Sequence, residues 1–141
     1  MRHPFAVLAL LAATACGTTS TPPVAPTATN KGVLSGTVTF REKVALPPNA
    51  QVSVRLWDAM LPPAVATVGE AKFQAASQVP LPFELFFDPA LIQDSHTYGA
   101  RASISVDGVV WFQSEQPVPV LTQGAPTVEV VLLVKRVAPP P

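Results

Sequence analysis

Residues that could perform chemistry are few and widely separated in this 141-residue chain. His96 is the only histidine beyond His3, and Cys16 is the only cysteine. The sequence lacks the spacings typical of zinc hydrolases, dithiol redox proteins, serine hydrolases and phosphate-binding loops. A lone histidine without a free thiol beside it leaves few ways to activate a nucleophile, so we expect a protein that is not an enzyme.

Three residues come nearest to a metal-binding cluster: Asp88, Asp94 and His96. Two carboxylates and an imidazole can hold a metal ion, but a site normally needs three well-placed ligands. The alternative is turn chemistry, in which Asp88 precedes a proline and Asp94 forms a cap or turn with Ser95. We favour the turns, and we predict neither a metal nor a cofactor.

Three aromatic residues are candidates for partner binding. Trp57, Phe86 and Trp111 each fall out of phase with the apolar residues that alternate around them. Exposed aromatic clusters often mark interfaces, so one hypothesis is a single shared aromatic surface. The alternative is that these side chains cover the edges of the core, or that the alternation shifts at a β-bulge.

Arg41 and Glu42 form a second candidate for partner recognition, at the end of the first predicted strand. Opposite charges on a surface can select a partner. The alternative is a solvated pair, which contributes less than about 1 kcal/mol to stability.

The position of Cys16 indicates an anchor. It directly follows the apolar stretch Phe5–Ala15, which is too short to span a bilayer and resembles a signal-peptide core. Ala13-Thr14-Ala15-Cys16 resembles a bacterial lipobox, in which the cysteine sulfur is lipidated after export. The alternative is an ordinary secretory signal with an incidental cysteine. Gly17, and not aspartate, follows the cysteine. This resembles the sorting signal of lipoproteins that are carried to the outer membrane, where the domain would face the periplasm.

Composition divides the chain into four parts. Residues 1–15 are predicted as the signal peptide, 16–32 as the lipidated cysteine and a flexible Thr/Pro-rich tether, 33–137 as the domain, and 138–141 as a Pro-rich tail. Lysine plus arginine equals aspartate plus glutamate at nine each, so the net charge is zero. Without a basic field we expect no nucleic-acid partner.

Apolar residues in the domain alternate with polar ones at a period of two, which predicts half-buried strands. Asp107-Gly108 between two such segments is a strong hairpin signal. A single helical turn is plausible over 90–94. The pattern predicts an all-β fold, a β-sandwich of about seven antiparallel strands of the immunoglobulin or transthyretin type. The predicted strands cover residues 34–40, 52–56, 65–73 (weakly patterned), 83–87, 101–106, 109–115 and 128–135.

Two segments carry a family resemblance. Phe40–Ala50 contains Arg-Glu and Leu-Pro-Pro, and Gln78–Ala90 contains Val-Pro-Leu-Pro-Phe. Together they resemble the signatures of the YbaY-like lipoprotein family, which is grouped with the YscW-type lipoprotein chaperones of type III secretion, the pilotins. Pilotins bind a secretin subunit and help it reach the outer membrane. The resemblance implies a β-sandwich and a binding or assembly role.

The leading functional hypothesis is thus a non-enzymatic module, held in the cell envelope by a lipid on Cys16, that binds another envelope protein. A pilotin-like chaperone is its specific form. The alternative is an envelope stress lipoprotein that binds a small molecule or a glycan. A deep apolar pocket between the sheets would favour the ligand, whereas a filled core with an exposed edge would favour a protein partner.

Overall fold

The computed structural model describes Gly17 and residues 31–137, which contain an all-β domain. The predicted signal peptide, Cys16, most of the tether and the tail 138–141 lie outside the described residues. Within the part described, the chain forms no helix with the length and hydropathy of a membrane span. The strands are β1 (Gly32–Thr39), β2 (Gln51–Asp58), β3 (Thr67–Gln74), β4 (Leu81–Phe87), β5 (Tyr98–Val106), β6 (Val109–Gln113), β7 (Val118–Val120), β8 (Val130–Leu133) and β9 (Lys135–Arg136), and a 3₁₀ turn spans Pro89–Leu91.

The strands form two sheets whose apolar faces pack together. The small sheet has the order β4-β1-β8, and the large sheet has the order β3-β2-β5-β6-β9, with β7 also paired to β5. Pairs in the large sheet are antiparallel, and β1 is antiparallel to β4 but parallel to β8. The predicted β-sandwich is confirmed, with one parallel pair that the strand pattern did not indicate.

The core follows the period-two alternation of the sequence. On β2, Val52, Val54 and Leu56 are buried, whereas Arg55 between them is exposed. Side chains from both sheets fill the interior, because alternate residues of each strand point to the same face. The buried core includes Leu34, Val38, Phe40, Leu46, Leu81, Phe83, Leu85, Tyr98, Ile104, Phe112, Val120, Val130, Leu132 and Val134.

The hairpin predicted at Asp107-Gly108 joins β5 to β6. Both residues have positive φ angles, 51° and 79°, which is the backbone that a tight two-residue hairpin requires. Glycine adopts it without a steric penalty, and aspartate tolerates it better than most residues. The Asn49 side-chain amide also donates to the Asp107 carboxylate at 2.7 Å, which ties the turn to the loop before β2.

The C-terminal segment differs from its prediction as one strand over 128–135. Glu129 has a φ angle of +55°, so the strand begins only at Val130. β8 then ends at Leu133, the Val134 amide donates to the Thr39 carbonyl, and β9 continues in the large sheet. The segment therefore crosses from one sheet to the other, which alternation alone does not reveal.

Candidate functional site

Polar side chains of β2 and β5 line the outer face of the large sheet in facing pairs. The register places Ser53 opposite Ser103 and Arg55 opposite Arg101, with Trp57 two residues beyond Arg55 on the same face. Since alternate residues share a face, the apolar partners of these strands point into the core. The outer face thus combines two hydroxyls, two guanidinium groups and one indole.

Trp57 and Arg101 together form the floor of a groove on this face. The guanidinium carbon of Arg101 lies 4.6 Å from the centroid of the Trp57 ring, within the range of a cation–π contact. The groove has a volume of about 580 Å³, and Leu61, Pro63 and Gln113 also line it. We call it the Trp57–Arg101 groove.

The two arginines of this groove differ in how their charges are compensated. Arg55 Nε contacts the Glu70 carboxylate at 3.1 Å, and Lys72 Nζ approaches the same oxygen at 3.6 Å. The hydrogen bond from Arg55, with that from Ser53, lowers the pKa of Glu70 despite its desolvation. Among the described residues, no carboxylate lies within salt-bridge distance of Arg101.

Phe86 lies on the outer face of the small sheet and is 53% exposed. It pairs with Val33 across β4 and β1, and it lines a separate groove with Glu84 and Val131. Trp57 lies on the other sheet of the sandwich, so the two outer faces point away from each other. Phe86 therefore does not share a surface with Trp57, as the hypothesis of one aromatic surface required, because the two residues belong to different sheets.

Trp111 occupies a β-bulge on β6. The register passes from Ile104–Phe112 directly to Ser105–Val110, which leaves Trp111 without a partner on β5. Its side chain is half-buried and packs against the core, as the bulge alternative predicted. Trp57 pairs with Gly99 on β5, whereas Trp111 lies beside Ser105, six residues farther along that strand. At 3.3 Å per residue, the two tryptophans are on the order of 20 Å apart.

Arg41 and Glu42 do not pair through their side chains. The Glu42 carboxylate accepts hydrogen bonds from the backbone amides of Arg41, at 3.1 Å, and Arg136, at 3.3 Å. Backbone hydrogen bonds, first that of its own amide, lower the pKa of Glu42. Glu42 thus links the segment after β1 to β9, while the Arg41 side chain is exposed.

A buried contact between Asp58 and His96 closes one end of the sandwich. Asp58, 1% exposed at the end of β2, contacts His96 Nδ1 at 2.5 Å and accepts the Met60 amide at 2.8 Å. Burial alone would raise the pKa of Asp58, but the hydrogen bonds from His96 and Met60 outweigh it, so this pKa is lowered. Thr122 Oγ1 also donates to the His96 carbonyl at 2.6 Å, so the pair joins three loops.

The residues weighed as metal ligands do not come together. Asp88 caps the 3₁₀ turn by accepting the Ala90 amide at 2.9 Å, in agreement with the turn interpretation. His96 contacts Asp58 instead of Asp88 or Asp94. In residues 31–137, no group of three or more histidine, cysteine and acidic side chains is placed to hold a metal ion.

Sequence reasoning did not identify Arg101 or Asp58 as functional candidates. Arg101 appeared only as a polar residue in an alternating strand, and its position above Trp57 depends on the pairing of β2 with β5. Arg101 faces Arg55 and lies diagonally across from Trp57, which is visible only once the two strands are aligned. No spacing within one strand contains that information.

Comparison with known proteins finds similarity to a curated lipoprotein and to a solved pilotin structure. The chain is 36% identical over 102 residues to the "Uncharacterized lipoprotein YbaY" of Escherichia coli (strain K12), covering 71% of this chain and 54% of the relative. The chain thus spans about half the length of this curated relative. It also matches the structure of an alternative pilotin from the type II secretion system of Vibrio cholerae, with a TM-score of 0.71 and 35% identity, covering 77% of this chain and 98% of the pilotin.

The match to a described family covers most of the domain. Residues 29–132 match the family described as "Type III secretion system lipoprotein chaperone (YscW)". This range begins just before β1 and ends within β8, so it includes strands of both sheets. With the lipoprotein relative and the pilotin structure, these findings confirm the resemblance seen in the sequence. The chain belongs to the YscW family of lipoprotein chaperones.

Proposed function

We propose that this protein is a lipid-anchored, non-enzymatic chaperone that binds a secretin subunit in the cell envelope and helps it reach the outer membrane. The observation that carries the proposal is the pilotin match, which covers 98% of the pilotin chain at 35% identity. The anchor would be the lipid on Cys16, and the domain would face the periplasm. Family membership among lipoprotein chaperones supports both the anchor and a protein partner.

The interior and edges of the sandwich support a protein partner over a small ligand. Core side chains from both sheets fill the space between them, and the grooves around Trp57 and Phe86 lie on the outer faces. β8 ends the order of the small sheet, and Val131 on it is 56% exposed. An apolar edge strand is a surface to which another chain can add a strand.

Deletion of the gene tests the chaperone function. We expect each secretin that depends on this protein to lose its multimers from the outer-membrane fraction, because unescorted subunits assemble elsewhere or are degraded. Inner and outer membranes are separated, and the multimers in each are measured by immunoblotting of samples that are not heated in detergent, so that the multimers stay intact. A plasmid copy of the gene is the control and should restore them. Unchanged amount and location of every secretin in the deletion strain would contradict the proposal.

A further inference from the structure

The Trp57–Arg101 groove contains a charge arrangement that the fold does not balance by itself. Arg55 and Arg101 lie directly opposite each other on β2 and β5. Like charges in facing positions of a sheet destabilise it. Glu70 on β3 compensates Arg55, but within the described chain no acidic side chain compensates Arg101. The register therefore presents one uncompensated guanidinium at the surface.

The Arg101 side chain is positioned and partly desolvated. It stacks over the Trp57 ring at 4.6 Å, which restricts its orientation. Its Nε atom is buried and has no hydrogen-bond acceptor in the described chain. Because the protein covers Nε, a ligand would reach the guanidinium through its terminal nitrogens, which the sheet holds in a fixed place.

The surroundings of Arg101 match an extended peptide. Ser53, Ser103 and Gln113 continue the groove along the sheet and offer side-chain hydrogen bonds. Leu61 and Pro63 line the part near Trp57 and offer apolar contact. An extended occupant with a charged and an apolar side chain two residues apart would satisfy both parts, since alternate residues of an extended chain point to the same side.

We propose that the Trp57–Arg101 groove binds an acidic, extended segment of the partner protein, with a carboxylate of that segment on the Arg101 guanidinium. Arginine and carboxylate form two parallel hydrogen bonds, which gives both energy and orientation. An apolar side chain two residues away from the carboxylate packs against Trp57 and Leu61. This inference rests on the proposed chaperone function, because it takes the partner to be a protein.

Fluorescence of Trp57 reports occupancy of the groove directly. The chain has two tryptophans, so Trp111→Phe leaves Trp57 as the only emitter. The full chain with this substitution is titrated with the acetylated, amidated nine-residue peptide Glu-Ser-Leu-Ser-Glu-Ser-Leu-Ser-Glu, in which glutamate and leucine point to the same side when the peptide is extended. The matched peptide has glutamine in place of glutamate. We expect the glutamate peptide to bind at least tenfold more tightly, with the difference decreasing as salt screens the charge.

Substitutions of Arg101 distinguish the contribution of its positive charge to binding from the contribution of its guanidinium geometry. Arg101→Ala should abolish the preference for glutamate, and Arg101→Lys should retain only part of it, because an ammonium cannot make the paired hydrogen bonds. Arg136→Ala removes one exposed arginine outside the groove and should bind both peptides as the parent does. Melting curves verify that each variant is folded, and Arg101→Lys remains informative if the alanine variant is not.

Three outcomes of the peptide titrations would overturn the inference. The first is equal affinity for the two peptides, and the second is unchanged binding by Arg101→Ala. The third is a Trp57 signal that does not saturate by about 1 mM peptide, because even weak specific binding has a dissociation constant below that concentration. Tighter binding of polygalacturonate than of the glutamate peptide would assign the groove to a carboxylated glycan and would also overturn it. If gene deletion removes secretin multimers while Arg101→Ala preserves them, the chaperone function stands and the groove assignment fails. If deletion leaves the multimers unchanged, the chaperone function itself fails.

Discussion

Asp58 illustrates how one carboxylate can be buried and still ionised. The strand β2 delivers it to the end of the sandwich, where His96 Nδ1 and the Met60 amide both contact its oxygens. These hydrogen bonds favour the charged form more strongly than burial disfavours it, so its pKa lies below the usual value. The residue therefore holds the loops at this end in place, and protonation should release them.

Lowering the pH should reduce the contribution of Asp58 to the stability of the fold. A carboxylate whose pKa is lowered by folding stabilises the protein above its unfolded pKa, about 3.8, and loses that effect as the pH falls through the folded pKa. Asp58→Asn should lower the free energy of unfolding by about 2 kcal/mol at pH 7. The difference from the parent should shrink as the pH falls below about 3.8, because the unfolded chain then binds a proton that folded Asp58 takes up only at lower pH.

Urea unfolding at several pH values between neutrality and pH 3 measures this difference. Glu42 and Glu70 also have lowered pKa values, but both remain in the variant, so their titration cancels in the comparison. A gap between parent and variant that stays constant down to pH 3 would contradict the assigned role of Asp58.

Among the elements, the pairing of β1 with β8 makes the strictest demand on a single residue. A Cβ atom at Gly36 would overlap the carbonyl group of Val130, which is backbone and cannot rotate away. Gly36 occupies an apolar-phase position between Leu34 and Val38, where a larger residue would otherwise be expected. The glycine is therefore explained by the close approach of two parallel strands.

Gly36→Ala should destabilise the domain, since one strand must shift to admit the methyl group. Overpacking of this kind costs about 1–3 kcal/mol. Ser35→Ala is the matched control, because it changes the adjacent residue of β1 without touching this contact, and surface substitutions usually change stability by less than about 0.5 kcal/mol. Thermal unfolding followed by circular dichroism compares both variants with the parent. Equal melting temperatures for all three proteins would show that the strand contact is tolerant.

At the scale of the whole molecule, the two outer faces differ in chemistry. The large sheet presents the Trp57–Arg101 groove, and the small sheet presents Phe86, Val33 and Val131. The net charge of zero gives neither face a long-range field. Recognition should therefore depend on local contacts at one face, while the anchor determines where in the cell the domain meets its partner.

Loss of the anchor should release the whole protein from the membrane. Cys16→Ser removes the predicted lipid acceptor, and we expect the variant to appear in the soluble fraction or as an unprocessed precursor. The parent should stay in the membrane fraction, because multiple acyl chains give stable anchoring where a single chain is marginal. Mass spectrometry of the N-terminal peptide checks the lipid directly. A parent protein without lipid mass on that peptide would contradict the assignment.

Most strands could be predicted from the sequence because their signal is local. Alternation with period two identified β1, β2, β4 and β5, and the Asp107-Gly108 turn located the hairpin to β6. Side-chain direction in a strand depends only on position along the chain, so burial follows directly from the pattern. β7 was not identified, because three residues are too few to show a period.

The sequence by itself determined the family, the fold class and the inward-facing residues of most strands, because family motifs and strand periodicity lie within short segments. The tertiary structure alone decided which outward-facing residues meet. Trp57 and Phe86 both point outward from their strands, but the two strands belong to opposite sheets. Arg101 contacts Trp57 only because of the register of β2 with β5. Neighbours across a sheet are set by strand pairing over long sequence separations, which no local pattern encodes.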